Sequence, residues 1–357
     1  MSRYLSKKLS KLIPYTPGEQ PKDMKYIKLN TNESPFSPPS ACREALDEAF
    51  SKLMLYPDPE CTALVKAASE VLGVGSEKIL MTNGSDEILN FAFMAFCDGD
   101  TPAVFADITY GFYKVFADLY GIEKKIIPLR DDFTIAPEDY YNAGGTIFIA
   151  NPNAPTGLVL SLSEIEDILK HNPDNIVVID EAYVDFGAES AVSLVDKYDN
   201  LLVTQTFSKS RSMAGARLGF GVGCQELIVD LNTVKYSTNP YNIDGMTAAV
   251  GEAMFKNEDV TRKNCRTIIE NREWTKRELS RLGFEFTDSL TNFVFAKHPK
   301  FDGEKIYLEL RKKGILVRHF KDKRIADYNR ITIGSAEQME KLIGALSEIL
   351  EENNESL

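Results

Sequence analysis

The chain alternates between short runs that are mostly apolar and stretches whose apolar residues recur with helical spacing. Three runs stand out, GTIFIA (145–150), NIVVID (175–180) and LLVTQTF (201–207). They are rich in β-branched residues, and the first two lack period-2 alternation, which indicates strands buried on both faces. Helical spacing over Leu162–Lys170 separates the first two runs. This pattern predicts an α/β fold with a mostly parallel central sheet flanked by helices.

The two ends of the chain differ from this central region. Residues 15–39 are rich in proline and poor in apolar runs, which predicts an extended N-terminal arm. The last hundred residues mix short strands with amphipathic helices and predict a smaller α+β domain. We therefore expect an arm that forms part of the small domain at 1–40, a large cofactor-binding α/β domain at 41–255 and a small C-terminal domain at 256–357.

Composition excludes several classes of function. The 357 residues include 41 Lys and Arg against 53 Asp and Glu, a net charge of −12, which disfavours nucleic acid as a partner. The sequence has neither an apolar stretch of about 20 residues nor an apolar signal core, so we expect no membrane span and a cytoplasmic location. Five cysteines without a CxxC pair and three scattered histidines predict free, mostly buried thiols and no metal site.

Polar clusters follow each of the three strong strands. The first is NPNAPTG at 151–157, the second holds Asp180 and Tyr183, and the third holds Lys209 with Arg217 eight residues later. Ligands of open α/β sheets bind beyond the carboxyl ends of the strands. Because about 27 to 29 residues separate the clusters, which fits one crossover each, these side chains are expected to converge on one crevice.

This set of groups suits pyridoxal 5'-phosphate. A lysine can form a Schiff base with a carbonyl, a carboxylate can keep a pyridine nitrogen protonated, a phenol can donate to a phenolic oxygen and an arginine can bind a phosphate. The run NGSDE at 83–87 follows a short apolar strand and opens a helix. Amide groups at such a helix N-terminus form a site for the phosphate.

Eight segments together carry a family resemblance. They are PYTPG (14–18), IKLNTNESP (27–35), YPD (56–58), NGSDE (83–87), DEAY (180–183), SK (208–209), PYN (240–242) and RITIG (330–334). In order and spacing, over nearly the whole chain, the sequence resembles the fold-type I pyridoxal-phosphate aminotransferases of class I and II. Within that family it most resembles the histidinol-phosphate aminotransferases.

The resemblance implies a role for each matching residue. Lys209 would form the Schiff base and move the proton, Asp180 would pair with the pyridine nitrogen, and Tyr183 would bond the 3'-oxygen of the cofactor. Tyr110 would stack on the pyridine ring. The residues implied to hold the phosphate are Gly84, Ser85, Thr206, Ser208, Arg217 and, from a partner subunit, Tyr56. The residues implied to face the substrate are Tyr15, Asn30, Arg318 and Arg330.

One position departs from the family pattern. Ala154 stands where the family has an asparagine that bonds the 3'-oxygen of the cofactor. Asn153, one residue upstream, is a candidate replacement if the backbone shifts. Alternatively, Tyr183 makes the contact alone.

The implied activity is a two-step transamination within a homodimer that shares its active sites. The amine would be L-histidinol phosphate and the acceptor a 2-oxo acid, 2-oxoglutarate, giving imidazole acetol phosphate and L-glutamate in histidine biosynthesis. An aromatic amino-acid aminotransferase and a threonine-phosphate decarboxylase would keep the same cofactor residues and remain alternatives. A non-catalytic regulator on this fold is disfavoured by the acidic charge.

Overall fold

The computed structural model describes residues 2–354. The helices are α1 (Ser40–Phe50), α2 (Thr62–Leu72), α3 (Ser85–Phe96), α4 (Phe112–Tyr120), α5 (Leu162–Lys170), α6 (Gln225–Thr238), α7 (Gly245–Lys256), α8 (Glu258–Arg281), α9 (Gly303–Lys312) and α10 (Ala336–Asn354). The strands are β1 (Ile27–Lys28), β2 (Ile79–Thr82), β3 (Ala103–Ala106), β4 (Lys124–Ile127), β5 (Thr146–Ala150), β6 (Val177–Asp180), β7 (Leu201–Thr206), β8 (Gly219–Gly223), β9 (Glu285–Phe286), β10 (Phe293–Lys297), β11 (Ile315–Leu316), β12 (Arg318–His319) and β13 (Tyr328–Thr332).

Seven strands form the central sheet in the order β2-β8-β7-β6-β5-β3-β4. Pairing is parallel from β7 through β6, β5 and β3 to β4, whereas β8 runs antiparallel to both β2 and β7. The glycine-rich run GFGVG forms β8. A Cβ on Gly219 would lie 2.4 Å from the backbone nitrogen of Ser85, so glycine here lets β8 lie against the start of α3.

Both faces of this sheet are buried, as the unbroken apolar runs predict. In β6, Val177 and Ile179 belong to a core with helices α2, α5 and α7, while Val178 faces a second core with α3, α4 and α6. All three side chains have no exposed surface. The predicted α/β class, with a mostly parallel sheet between helical layers, is confirmed.

A second, antiparallel sheet has the order β12-β13-β10-β9 and packs with α8, α9 and α10. The apolar segment 315–318 is divided between two strands in the structure. Its first half, β11, pairs in parallel with β1 of the arm, and β12 begins at Arg318 and pairs with β13. The arm is thereby joined to the C-terminal region, and the predicted domain boundaries at 40 and 255 stay a prediction.

Two further expectations concern the chain as a whole. All five cysteines are free and four of them are buried, which confirms the expected thiols. Among residues 2–354, the structure contains no helix that combines the length and the apolar character needed to cross a bilayer.

Candidate active site

A cavity of about 290 Å³ lies at the carboxyl ends of β5, β6 and β7, beside the start of α3. Its lining residues are Thr31, Glu33, Ser85, Asp86, Tyr110, Ala150, Pro152, Ala154, Asp180, Ala182, Tyr183, Thr206, Ser208, Lys209, Ala214 and Arg217. The clusters that follow three separate strands in the sequence therefore meet in one crevice, as parallel strand ends require.

Asp180 ends β6 at the floor of this cavity and is 4% exposed. Its side-chain partners are neutral hydroxyls, because Tyr113 donates to Oδ2 at 2.9 Å and Thr204 donates to Oδ1 at 3.3 Å. Burial raises the pKa of the Asp180 carboxyl to about 6. A cationic ring nitrogen bound against this carboxylate would reverse that shift, since an opposite charge favours the ionised form.

Lys209 and Tyr183 lie side by side across the cavity from the sheet floor. The Lys209 ammonium donates to the backbone oxygen of Thr31 at 3.1 Å and lies 5.7 Å from the centre of the Tyr183 ring. The Tyr183 hydroxyl accepts a hydrogen bond of 2.9 Å from Asn32. Segment 31–32 of the arm thus contacts both side chains.

The opposite end of the cavity is built to receive an anion. Gly84 precedes α3 with φ of 74°, a conformation that favours glycine, and a Cβ there would lie 2.7 Å from the Arg217 guanidinium, which would have to shift. Arg217 donates to the Ser208 hydroxyl at 3.3 Å, and the Thr206 hydroxyl donates to Ser208 at 3.1 Å. Together with the free amides at the start of α3, beginning at Ser85, these groups form a phosphate-sized cradle.

Asp86 links this cradle to Tyr110. Arg217 donates to Asp86 Oδ2 at 3.1 Å, and the Tyr110 hydroxyl donates to Oδ1 at 2.6 Å. Burial raises the pKa of the Tyr110 phenol, and the Asp86 charge adds to this, so Tyr110 stays a neutral donor. Its ring lines the cavity, where the sequence predicts a stacking residue.

Asn153 and Ala154 occupy different environments. The Asn153 amide donates to the Ile108 backbone oxygen and to Thr156, each at 3.0 Å, and its oxygen accepts from Thr109 at 2.8 Å. Ala154, not Asn153, is among the residues that line the cavity. A contact between Asn153 and a cofactor stays a prediction, and it would require these three bonds to be exchanged.

The predicted substrate residues lie where the arm crosses the small sheet. Arg318 and Arg330 face each other on paired antiparallel strands. Arg330 donates to the backbone oxygen of Asn30 at 3.2 Å, while its Nε is buried without a partner. The Tyr15 ring stacks on Phe112, with centroids 4.5 Å apart, and lies 6.5 Å from Tyr110.

Tyr56 lies on the surface of the chain, outside the active-site cavity. It is 82% exposed, packs on Tyr241 with ring centroids 4.7 Å apart and is not among the residues lining the cavity. It belongs to an exposed apolar surface formed by the end of α1 and the loop that follows it. Its members are Phe50, Leu53, Met54, Leu55 and Tyr56.

Three residues of the site were missed in the sequence. Tyr113 lies three residues after Tyr110, and this helical spacing could have signalled a shared face. Asp86 and Asn32 stand inside motifs used for the family resemblance, but their partners come from distant segments, Arg217 and Tyr183. Those pairings depend on the tertiary fold, and one sequence carries no signal for them.

The donor set fits pyridoxal phosphate. A carboxylate buried among neutral hydroxyls suits a pyridinium nitrogen, and Arg217 with the amides at the start of α3 suits a phosphate. With Lys209 lining the same cavity, the fold and the site define a pyridoxal-phosphate enzyme of fold type I. The family model of class I and II aminotransferases matches residues 24–346, and the chain belongs to that family, as its sequence motifs predict.

Two relatives carry a name that is more specific than the family. A protein of Marinomonas sp. (strain MWYL1) is 51% identical over 97% of this chain and 99% of its own length, and one of Brachyspira hyodysenteriae is 49% identical over 98% and 99%. Both are named histidinol-phosphate aminotransferase. The histidinol-phosphate aminotransferase of Sinorhizobium meliloti, solved in complex with pyridoxal-5'-phosphate, shares the fold, with a TM-score of 0.84 at 23% identity over 92% of each chain.

The raised pKa of Asp180 predicts how the stability of the cofactor-free protein depends on pH. Its pKa of about 6 in the folded, cofactor-free protein exceeds the ordinary 3.8, so ionisation of the carboxyl destabilises the fold as pH rises between these values. We expect Asp180→Asn to gain stability relative to wild type by about 2 kcal/mol as pH rises from about 4 to 6.5. Denaturant unfolding of both cofactor-free proteins at several pH values measures this. A difference that is independent of pH would contradict the assignment.

Proposed function

We propose that this protein binds pyridoxal 5'-phosphate and transfers the amino group of L-histidinol phosphate to 2-oxoglutarate. The products are imidazole acetol phosphate and L-glutamate. The names of relatives that are 49–51% identical over nearly the whole chain support this choice of substrate. The cavity with Asp180, Lys209 and Arg217 supports the choice of cofactor.

The observation that carries the proposal is the pair of arginines beside the cavity. Like charges directly opposite on paired strands destabilise a sheet, and Arg318 and Arg330 are opposed in this way. Burial also lowers the pKa of the Arg330 guanidinium. An anion bound between them would relieve both costs. Histidinol phosphate brings a phosphate and 2-oxoglutarate a carboxylate, and a planar guanidinium binds either group bidentately.

The chain's own residues supply the remaining chemistry. Bound pyridoxal phosphate supplies an electron sink that acidifies the C–H bond next to the substrate nitrogen. Asp180 keeps the ring nitrogen protonated, Tyr183 donates to the 3'-oxygen, and Tyr110 fixes the plane of the ring. The released amine of Lys209 takes the proton from the substrate carbon and returns it during transfer. Tyr15 closes the arm over the bound anion.

A panel of amines tests the substrate. With 2-oxoglutarate as acceptor, histidinol phosphate should show a higher kcat/KM than histidinol, phenylalanine or tyrosine. Arg330→Lys keeps the charge but loses the two-pronged contact, so kcat/KM for histidinol phosphate should fall about 10- to 100-fold. Arg281→Lys, on the exposed face of α8, is the matched control and should leave it unchanged.

Other outcomes of the panel identify other enzymes. Faster reaction of phenylalanine or tyrosine would establish an aromatic aminotransferase. Release of carbon dioxide from threonine phosphate would establish a decarboxylase. Either result would overturn the proposed substrate while leaving the cofactor assignment intact.

The proposed working unit is a cytoplasmic homodimer. The exposed apolar surface with Tyr56 suits burial against a second copy, because contiguous exposed patches of this kind mark interaction sites. In such a dimer Tyr56 would reach the phosphate cradle of the partner subunit. The free thiols support a reducing compartment.

Mixed dimers test the shared site. Each site would combine Lys209 of one protomer with Tyr56 of its partner. In a heterodimer of a Tyr56→Phe protomer and a Lys209→Ala protomer, one site therefore has both groups and the other has neither. After random exchange, about one quarter of all sites should recover wild-type cofactor affinity and activity. Mixing Tyr56→Phe with a Tyr56→Phe/Lys209→Ala double variant is the control and should give no recovery. A monomer with full activity would contradict the proposal.

A further inference from the structure

Asn32 connects the arm, the large sheet and the small sheet behind the active-site cavity. It is 1% exposed and adopts φ of 58°, in the left-handed region that asparagine tolerates better than most residues. Its side chain donates to the Tyr183 hydroxyl at 2.9 Å, and its backbone oxygen accepts from Asn292 at 2.9 Å. Asn32 does not line the cavity, and its side chain contacts the cavity lining through Tyr183.

The hydrogen bonds with Thr332 determine which way the Asn32 amide faces. The Thr332 hydroxyl accepts from the Asn32 backbone N–H at 3.0 Å and uses its single proton to donate to Asn32 Oδ1 at 2.9 Å. With Oδ1 engaged in this way, the Nδ2 group faces Tyr183 and can only donate. The Tyr183 oxygen is therefore an acceptor toward Asn32, and its own proton is left for another partner.

We propose that Asn32 is a positioning residue that directs the Tyr183 O–H toward the 3'-oxygen of the cofactor. The inference rests on the proposed role of Tyr183. Thr332 lies two residues after Arg330 on β13 and so on the same face of that strand. The Thr332–Asn32–Tyr183 chain thus ties the cofactor's phenolic partner to the strand that carries a substrate arginine.

The readout is the pKa of the nitrogen that joins Lys209 to the cofactor, seen in visible absorption without any amine substrate. The protonated nitrogen and the Tyr183 hydroxyl both donate to the 3'-oxygen. When the Tyr183 hydrogen bond is lost, this oxygen holds the proton on the nitrogen more strongly, so the pKa of the nitrogen rises. The other charged groups that act on this pair are Asp180 on β6, Glu33 on the arm and Arg330 on β13. All three are unchanged in the variants below.

Asn32→Asp is the sharpest variant, because it preserves the shape but replaces a donor with an acceptor. The carboxylate should accept a hydrogen bond from the Tyr183 O–H and so withdraw it from the 3'-oxygen. The pKa of the nitrogen that joins Lys209 to the cofactor should then rise by about one to two pH units, as it should with Tyr183→Phe. In the Tyr183→Phe background, Asn32→Asp should then add little. Asn32→Gly is uncharged, suits the positive φ and should raise the pKa by a smaller amount.

Asn329→Asp is the matched control. It introduces a carboxylate at a buried position of β13, where the Asn329 side chain donates to the backbone oxygen of Gly303. It should leave the pKa of the Lys209 nitrogen unchanged. An equal rise from Asn32→Asp with and without Tyr183 would indicate a direct charge effect and overturn the proposal.

The remaining outcomes are also decisive. If Asn32→Asp does not fold, a rise with Asn32→Gly supports the proposal and an unchanged pKa overturns it. No rise with Tyr183→Phe overturns the Tyr183 role and the inference together. Because no amine is present, a wrong substrate assignment leaves this result unaffected.

Discussion

A carboxylate buried among neutral hydroxyls is the constraint on which the rest of this structure depends. Asp180 ends the central β6 strand with Tyr113 and Thr204 as its side-chain partners, and burial raises its pKa to about 6. Such a group is costly unless a cation is bound against it. A protonated pyridine ring would provide that cation, so the sheet floor suits a pyridoxal-phosphate cofactor.

The other groups of the site line the same cavity as Asp180. Ser208 and Arg217 of the phosphate cradle lie there, and so does Lys209. The arm then covers both Lys209 and Tyr183 through the adjacent residues Thr31 and Asn32. Because the arm also pairs with β11, Lys209, Tyr183 and the paired Arg318 and Arg330 belong to one connected region.

Much of this fold could be predicted from one sequence, for a physical reason. Strands buried on both faces are rich in apolar and β-branched residues, as β5, β6 and β7 are, so both their positions and the convergence of their polar ends followed. The division of 315–318 into two strands did not follow, because its cause is pairing with β1, almost 290 residues away. The same holds for the Asn32–Tyr183 bond and for the engaged amide of Asn153, which are set by tertiary contacts alone.

The most direct test of the central claim is chemical. Borohydride reduction of the holoenzyme should fix the cofactor to a single peptide, the one that contains Lys209, and the yellow absorbance should disappear in proportion. Lys209→Ala should give no label while still binding the cofactor through the phosphate cradle. Label on another lysine, or an unlabelled wild-type protein that remains active, would contradict the account.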